Sequence, residues 1–209
     1  MGVRERSQAR FQLKPRFLDW AMRQMDDLRP ETLARAQGDV LEVGFGTGLN
    51  LRHYTAGVQS VTGVDPLRTE GFDVVDERIA RAPFPVKRTA LRADGDLPFD
   101  AGRFDCIVTS WTLCSIPDPL AALGEMRRVL KPGGRYFFVE HGRSERASTA
   151  RWQDRLNPLW RRIADGCNMN RRMDDLVERG GFELLSLQRF RGRGPSVLAS
   201  MYRGEARRT

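Results

Sequence analysis

The sequence predicts an α/β protein, a single domain built on a mostly parallel sheet with helices on both faces. Three observations predict it. Short apolar runs alternate with amphipathic segments along most of the chain, the order that wraps a parallel sheet. One of the first runs, Val40–Val43, leads into a turn with glycines at alternate positions, in "VLEVGFGTGLN". Two last runs close the chain with no helix between them, which predicts an antiparallel edge strand.

Taken in order, Phe17, Leu18, Trp20, Ala21, Met22, Met25 and Leu28 recur at helical spacing and predict a helix ending near Pro30. A second short helix around 31–36 leads into the strand at Val40–Val43, and a helix from about Leu49 to Tyr54 follows the glycine turn. "VQSVTGVDP", "VKRTAL", "FDCIVTSW" and "GGRYFFVEH" read as strands two to five, the fourth apolar enough for mid-sheet. A helix from Pro117 to Leu130 puts Leu120, Leu123, Met126 and Leu130 on one face. Residues 146–180 read as helical, broken at Asn157-Pro158, with Asn157 as cap and Pro158 at the first helical position. Trp152, Leu156, Trp160 and Ile163 recur at helical spacing and are assigned to the core. "FELLSLQRF" and "SVLASMYR" are the closing strands, making seven in all.

The 209 residues suffice for one core without disulfides or metal. No apolar run approaches the roughly 20 residues of a membrane span, and no secretory signal is read at the N-terminus. Three cysteines, Cys106, Cys114 and Cys167, with no C-x-x-C pair, predict free thiols in a reducing compartment, and the cytoplasm is the expected location. No metal site is expected, because no ligand cluster surrounds His53 or His141, the only histidines. The formal charge of +8 is concentrated in the last third, and 32 of the 35 basic residues are arginine, which favours a solvated surface over a dedicated polyanion site. Specific nucleic-acid binding is not expected; weak contact with an anionic membrane surface is.

Gly44, Gly46 and Gly48 permit a tight turn and let backbone approach a ligand with no Cβ in the way. A P-loop needs a Gly-Lys-Ser/Thr ending, and no lysine follows here. A dinucleotide loop needs its third glycine at position 49, which is Leu49. Asp65, 17 residues beyond Gly48, is placed to accept ribose hydroxyl hydrogens, a feature that nucleotide-dependent dehydrogenases share. The Tyr-x-x-x-Lys pair of short-chain dehydrogenases is absent, since the lysines are Lys14, Lys87 and Lys131.

The alternate glycines with Glu42 two residues ahead resemble motif I of class I S-adenosylmethionine-dependent methyltransferases. "ADGDLPFDAGRFDCIV", "PDPLAALGEMRRVLKPGG" and "RYFFVEH" resemble later segments of the same fold, over about residues 38–142. "GTGLNLRHY", "TLCSIPDP", "FVEH" and "WQDRLNPLWRRIADGCNMNR" resemble a branch holding alkyl-thiol methyltransferases and bacterial phospholipid N-methyltransferase-like proteins. The resemblance implies one Rossmann-like domain with a helical cap (1–37), a cofactor core (38–142) and an acceptor region with closing strands (143–209). It implies S-adenosylmethionine as cofactor, held by Glu42, Gly44, Phe45, Gly46, Gly48, Asn50, Asp65, Pro66, Ser110 and Trp111, with Asp94 or Asp96 and the Gly95 N–H at the adenine.

The implied acceptor is a small thiol, with a phospholipid headgroup or small amine as the alternative. The animal members carry an N-terminal hydrophobic membrane anchor that is not read here, which favours a soluble enzyme over one acting on a lipid-embedded substrate. The acceptor should lie over the ends of strands four and five, near Trp111, Thr112, Cys114, Glu140 and His141, with Asn170 and Arg171 closing the site. His141 is the first candidate base and Asp96 the second. A non-catalytic cofactor- or nucleic-acid-binding protein on the same scaffold is the reading from a different class.

Overall fold

The computed structural model describes residues 15–65, 73–91 and 96–208, with side chains from Asp19 onward. Seven strands form one sheet: β1 (Gly38–Val43), β2 (Val58–Asp65), β3 (Val86–Ala90), β4 (Phe104–Ser110), β5 (Leu130–His141), β6 (Phe182–Arg191) and β7 (Ser200–Arg208). Their spatial order is β3-β2-β1-β4-β5-β7-β6. The first five pair in parallel, and β7 runs antiparallel between β5 and the edge strand β6. The chain leaves β1 toward β2 on one side and returns as β4 on the other. That reversal opens a crevice at the carboxyl ends of β1 and β4, where such sheets bind ligands.

Successive side chains of a strand point to opposite faces, and each face has its own core. Leu41, Ile107 and Phe138 pack with Leu123, Met126, Met173 and Val177. Val40, Val108 and Phe137 point the other way and pack with Leu33 and Val75. The helices supplying those partners are α2 (Arg29–Leu33), α3 (Asp73–Ala80), α4 (Pro119–Val129) and α6 (Met173–Arg179); α1 (Pro15–Arg23) and α5 (Ala147–Ile163) complete the set among the described residues. Asp118 caps α4, accepting the Ala121 N–H at 3.0 Å.

Four expectations are corrected. Pro30 does not end a helix but stands in the first turn of α2, where its missing N–H costs nothing. The helix expected at 49–54 is only a 3-10 turn, Leu51–His53, because Asn50 and Tyr54 both turn back onto Glu42. The last strand starts at Ser200, not Ser196, and continues to Arg208. Finally, α5 runs unbroken through Asn157-Pro158.

The inward face of α5 is polar: Gln153 is fully buried and Asn157 nearly so, whereas Trp152 (55% exposed), Leu156 (38%), Leu159 (60%) and Ile163 (47%) face outward. Asn157 is no cap; its side chain accepts the Met169 N–H at 2.9 Å and donates to Asn168 at 3.2 Å. The amide of Gln153 accepts from Ser144 N–H and donates to the carbonyls of Gly142, Met169 and Val197, all within 2.8–2.9 Å. These bonds let α5 bury a polar face without an uncompensated group. Gln153→Ala leaves one amide and three carbonyls without this partner and should cost about 2–4 kcal/mol in urea denaturation. Gln153→Glu should cost at least as much at neutral pH, since a carboxylate would confront three carbonyl oxygens.

Candidate active site

The glycine loop lies at the carboxyl end of β1. A Cβ at Gly44, where φ is +84°, would fall 2.0 Å from Thr112 Oγ1, so the loop can press against the segment after β4 only without a side chain there. A Cβ at Gly46, φ +54°, would meet no atom of the described residues nearer than 4.0 Å, its own chain neighbours aside, and the nearest is Asp65 Oδ2. Most loop amides are used internally. Gly44 and Phe45 donate to the Val64 carbonyl, and Gly48 to that of Phe45. Gly46 N–H donates to Asp65 Oδ2 at 2.5 Å, which joins the two sequence-predicted ends of the cofactor site.

Phe45 is corrected: its ring is buried in the core cluster on that face, so only its backbone can serve the loop. The other side of the loop is held by α1, where the nearly buried Asp19 accepts from Thr47 Oγ1 at 2.5 Å and from Arg78 at 2.7 Å. Arg78 also donates to the Thr47 carbonyl at 2.8 Å.

Beneath the loop runs a buried polar chain. Glu42 accepts from Asn50 Nδ2 at 3.0 Å and from the Tyr54 hydroxyl at 2.8 Å. The same Asn50 amide donates to Ser110 Oγ at 3.1 Å, and its carbonyl accepts from Arg29 at 2.5 Å. Asn50, itself bonded to Ser110, therefore orients Glu42 from behind. Burial pushes the Glu42 carboxyl up to about 7, against the Tyr54 and Asn50 hydrogen bonds and the Arg29 charge. Trp111 has a left-handed backbone, φ +53°, held by its N–H to the Val139 carbonyl, with the Arg29 guanidinium 5.0 Å from its ring centroid. A non-glycine residue in that conformation is strained, and such residues concentrate at functional sites.

On the acceptor side, Glu140 is fully buried and accepts the N–H groups of Thr112, Leu113 and Cys114 at 2.9, 3.0 and 3.4 Å. Burial raises its pKa, and those amides oppose the rise. It thus anchors the loop rather than offering a free carboxylate. His141 is nearly buried, with Nε2 2.9 Å from Cys167 Sγ. The Trp160 indole N–H donates to the same sulfur at 3.3 Å. Hydrogen bonding to Cys114 and then to His141 drives the Cys167 thiol well below its usual range, while Cys114 rises through its bond to Cys167 and its burial. Burial opposes protonation of His141, but the Cys167 sulfur outweighs it and raises the imidazole.

Cys114, His141 and Cys167 form a cluster whose ligand atoms all lie within 4.8 Å of one another. The expectation that no ligand cluster surrounds His141 is corrected. Cys167 was the residue missed as a partner, and no local spacing links it to positions 114 and 141.

Asp96 is exposed and lines a surface depression with Asp100, Glu125 and Arg128. Asn170 donates to Asp154 on the outer side of α5 at 2.9 Å, which places its amide in a surface ion-pair group with Arg143 rather than over the site. Arg171 donates to the carbonyls of Leu113 and Ile116, bracing the loop from beneath. Pro66, Asp94 and Gly95 lie outside the described residues.

The glycine turn at the end of β1, with Asp65 bonded to it, is the arrangement the class I methyltransferase resemblance implies. A family model described as a methyltransferase domain matches residues 16–187. The chain belongs to this family. Within it, S-adenosylmethionine is the methyl donor, and the class I fold is shared by solved structures at low identity. A putative methyltransferase from Bacillus halodurans superposes with a TM-score of 0.67 at 19% identity, covering 88% of this chain and 99% of that one. Among curated methyltransferases, the thiol S-methyltransferase TMT1A of Homo sapiens is 35% identical over 152 residues, 71% of this chain and 62% of that protein. A phosphatidylethanolamine N-methyltransferase of Cereibacter sphaeroides is 35% identical over 105 residues, half of each chain. The chain thus spans less than two thirds of these relatives' length.

Two outcomes follow from this methyltransferase site. Gly46→Ala should weaken S-adenosylmethionine binding at least about tenfold by calorimetry while circular dichroism stays native, and Gly46→Val should do so more severely. Glu42 keeps its proton in the fold up to about pH 7, against 4.5 ordinarily, so folding takes up a proton in between. Its contribution to stability is full below pH 4.5 and is lost as pH rises through 7. Glu42→Gln should flatten that slope and gain up to about 3 kcal/mol over wild type at pH 8, read by urea denaturation at several pH values.

Proposed function

We propose that this chain transfers a methyl group from S-adenosylmethionine to a small-molecule thiol. The similarity to thiol S-methyltransferases over 71% of the chain carries this reading. When bound, S-adenosylmethionine supplies an electrophilic methyl carbon on a sulfonium sulfur. The 44–48 turn lets the backbone pass close beneath the methionine portion. Asp65, at the end of β2 beside the glycine loop, is the proposed acceptor of the ribose hydroxyls. Asp94 and Gly95 are the proposed adenine contacts. Trp111 and Thr112, fixed by the Val139 carbonyl and by Glu140, form the wall against which an acceptor is aligned and water excluded. Neither candidate base is assigned that role, because His141 Nε2 is engaged by Cys167 and Asp96 faces the α4 surface.

A phospholipid headgroup is the second reading, favoured by the outward face of α5. Its exposed Trp152, Leu156, Leu159 and Ile163 are flanked by exposed Arg151, Arg155, Arg161 and Arg162, the composition of a helix lying in a membrane interface. No helix of the described residues is long and apolar enough to cross a membrane. The free cysteines suit a reducing compartment.

Labelled S-adenosylmethionine with a panel of alkyl thiols, amines and phosphatidylethanolamine vesicles separates the readings. The thiol reading expects a methyl thioether by mass spectrometry and vesicle binding that moderate salt erases. Labelled lipid or amine with no thioether, together with salt-resistant sedimentation, would replace it with the second reading.

A further inference from the structure

Methylating a thiol requires that it first lose its proton, and at the wall just described the Nε2 of His141 is engaged by Cys167, while its buried Nδ1 has no hydrogen-bond partner among the described residues. The sulfur and imidazole cluster beside it supplies another means. We propose that Cys114, His141 and Cys167 bind one zinc-type divalent cation, leaving its fourth coordination position to solvent or to the acceptor thiol.

The donor set selects the ion. Two sulfurs and one imidazole suit zinc and its borderline neighbours and not magnesium or calcium, which take oxygen. Tetrahedral zinc lies about 2.3 Å from sulfur and about 2.0–2.1 Å from nitrogen, which sets donors roughly 3.5–3.8 Å apart. The cluster brackets that spacing, with 2.9 Å between His141 Nε2 and Cys167 Sγ and all three atoms within 4.8 Å.

The donors come from three separately braced elements. Cys114 is held through its N–H by Glu140, and its carbonyl accepts the Asn168 N–H at 2.8 Å and the Asn168 side-chain amide at 3.1 Å. His141 ends β5. Cys167 lies in the turn after α5, with Trp160 N–H on its sulfur as an outer-sphere donor. Two thiolates neutralise a dication, leaving the charges of Glu140 and Arg171, which both act on this cluster, to oppose each other.

Three protein ligands and one free position is the pattern of catalytic rather than structural zinc. Cys167 is the most exposed of the three residues, which makes its side the proposed entry for a fourth donor. A thiol binding there gives its proton to solvent and remains as thiolate, with no protein base required. This last step rests on the thiol reading; the cation site does not.

The test uses the full chain, reduced with a phosphine, stripped of metal and titrated with zinc chloride against a chromophoric chelator, then with cobalt(II). We expect one equivalent bound, and a cobalt spectrum with a thiolate charge-transfer band and intense tetrahedral visible bands. Cys114→Ser, Cys167→Ser and His141→Ala should each weaken binding at least about a hundredfold, the upper end of what losing even an outer-sphere partner costs. Cys106→Ser, in the core of the opposite face, should leave the spectrum intact. Wild type without the charge-transfer band overturns the site, whatever the folding of the variants. So does a band that survives Cys167→Ser and Cys114→Ser. Adding 2-mercaptoethanol to the cobalt form should shift the visible bands, and an unshifted spectrum removes the thiol from the fourth position. These spectra are read without S-adenosylmethionine, so an inactive methyl-transfer assay leaves them unaffected.

Discussion

The arrangement around the crevice depends on one buried carboxylate. Glu140 is fully buried, and three consecutive amides of the segment after β4 converge on it. A buried charge without such donors would cost several kcal/mol, so the sheet can hold this residue only if that segment curls over it. The curl has two consequences. It lays Thr112 against Gly44, closing one wall of the cofactor loop. It also turns Cys114 toward Cys167 and His141. Cofactor side and acceptor side are therefore set by the same three hydrogen bonds.

A second polar anchor, Gln153, explains how the acceptor region attaches. A helix usually docks through an apolar stripe. Here α5 docks through Gln153 and Asn157, whose amides take up backbone groups of residues 142, 144, 169 and 197. One amide, that of Gln153, thereby satisfies groups from several segments at once. The apolar residues of α5 are freed to face outward as a result, with arginines beside them.

Much of this was legible in the sequence wherever local pattern decided the outcome. Strands such as Val40–Val43 and "FDCIVTSW" are apolar because both faces are covered, and the alternate glycines mark a backbone turn that only glycine makes easily. Asp65 was legible because strand length fixes its distance from the loop. What failed was inference about side-chain direction. Trp152, Leu156 and Ile163 have helical spacing, but spacing does not say which face is buried when a glutamine opposite them makes four hydrogen bonds. The bonds that join Asn50 to Glu42 and to Ser110 link the turn after β1 to the ends of two strands, and no periodicity announces them. Asn157-Pro158 has the chemistry of a helix start, but Asn157 is engaged by Asn168 and Met169, and the helix continues. The pairing of His141 with Cys167 spans 26 residues and two elements, beyond any periodicity.

The two acids at the strand ends show how one crevice can serve two reactants of opposite need. Glu42 sits under the loop with a pKa near neutrality, so it is poised to ionise fully when a cation arrives close by. A sulfonium cofactor carrying an ammonium group is such a cation. Glu140 is fully buried under the segment after β4, and its three amides compensate it without any cation. Its charge lies near the cluster of sulfurs and would oppose further negative charge there, so a thiolate acceptor needs positive charge of its own on that side. Arg171 supplies some of it, but its guanidinium is spent on the Leu113 and Ile116 carbonyls. A dication held by Cys114, His141 and Cys167, already neutralised by its two thiolates, would add no net charge there but would hold the forming thiolate by direct coordination, without disturbing the carboxylate on which the loop depends.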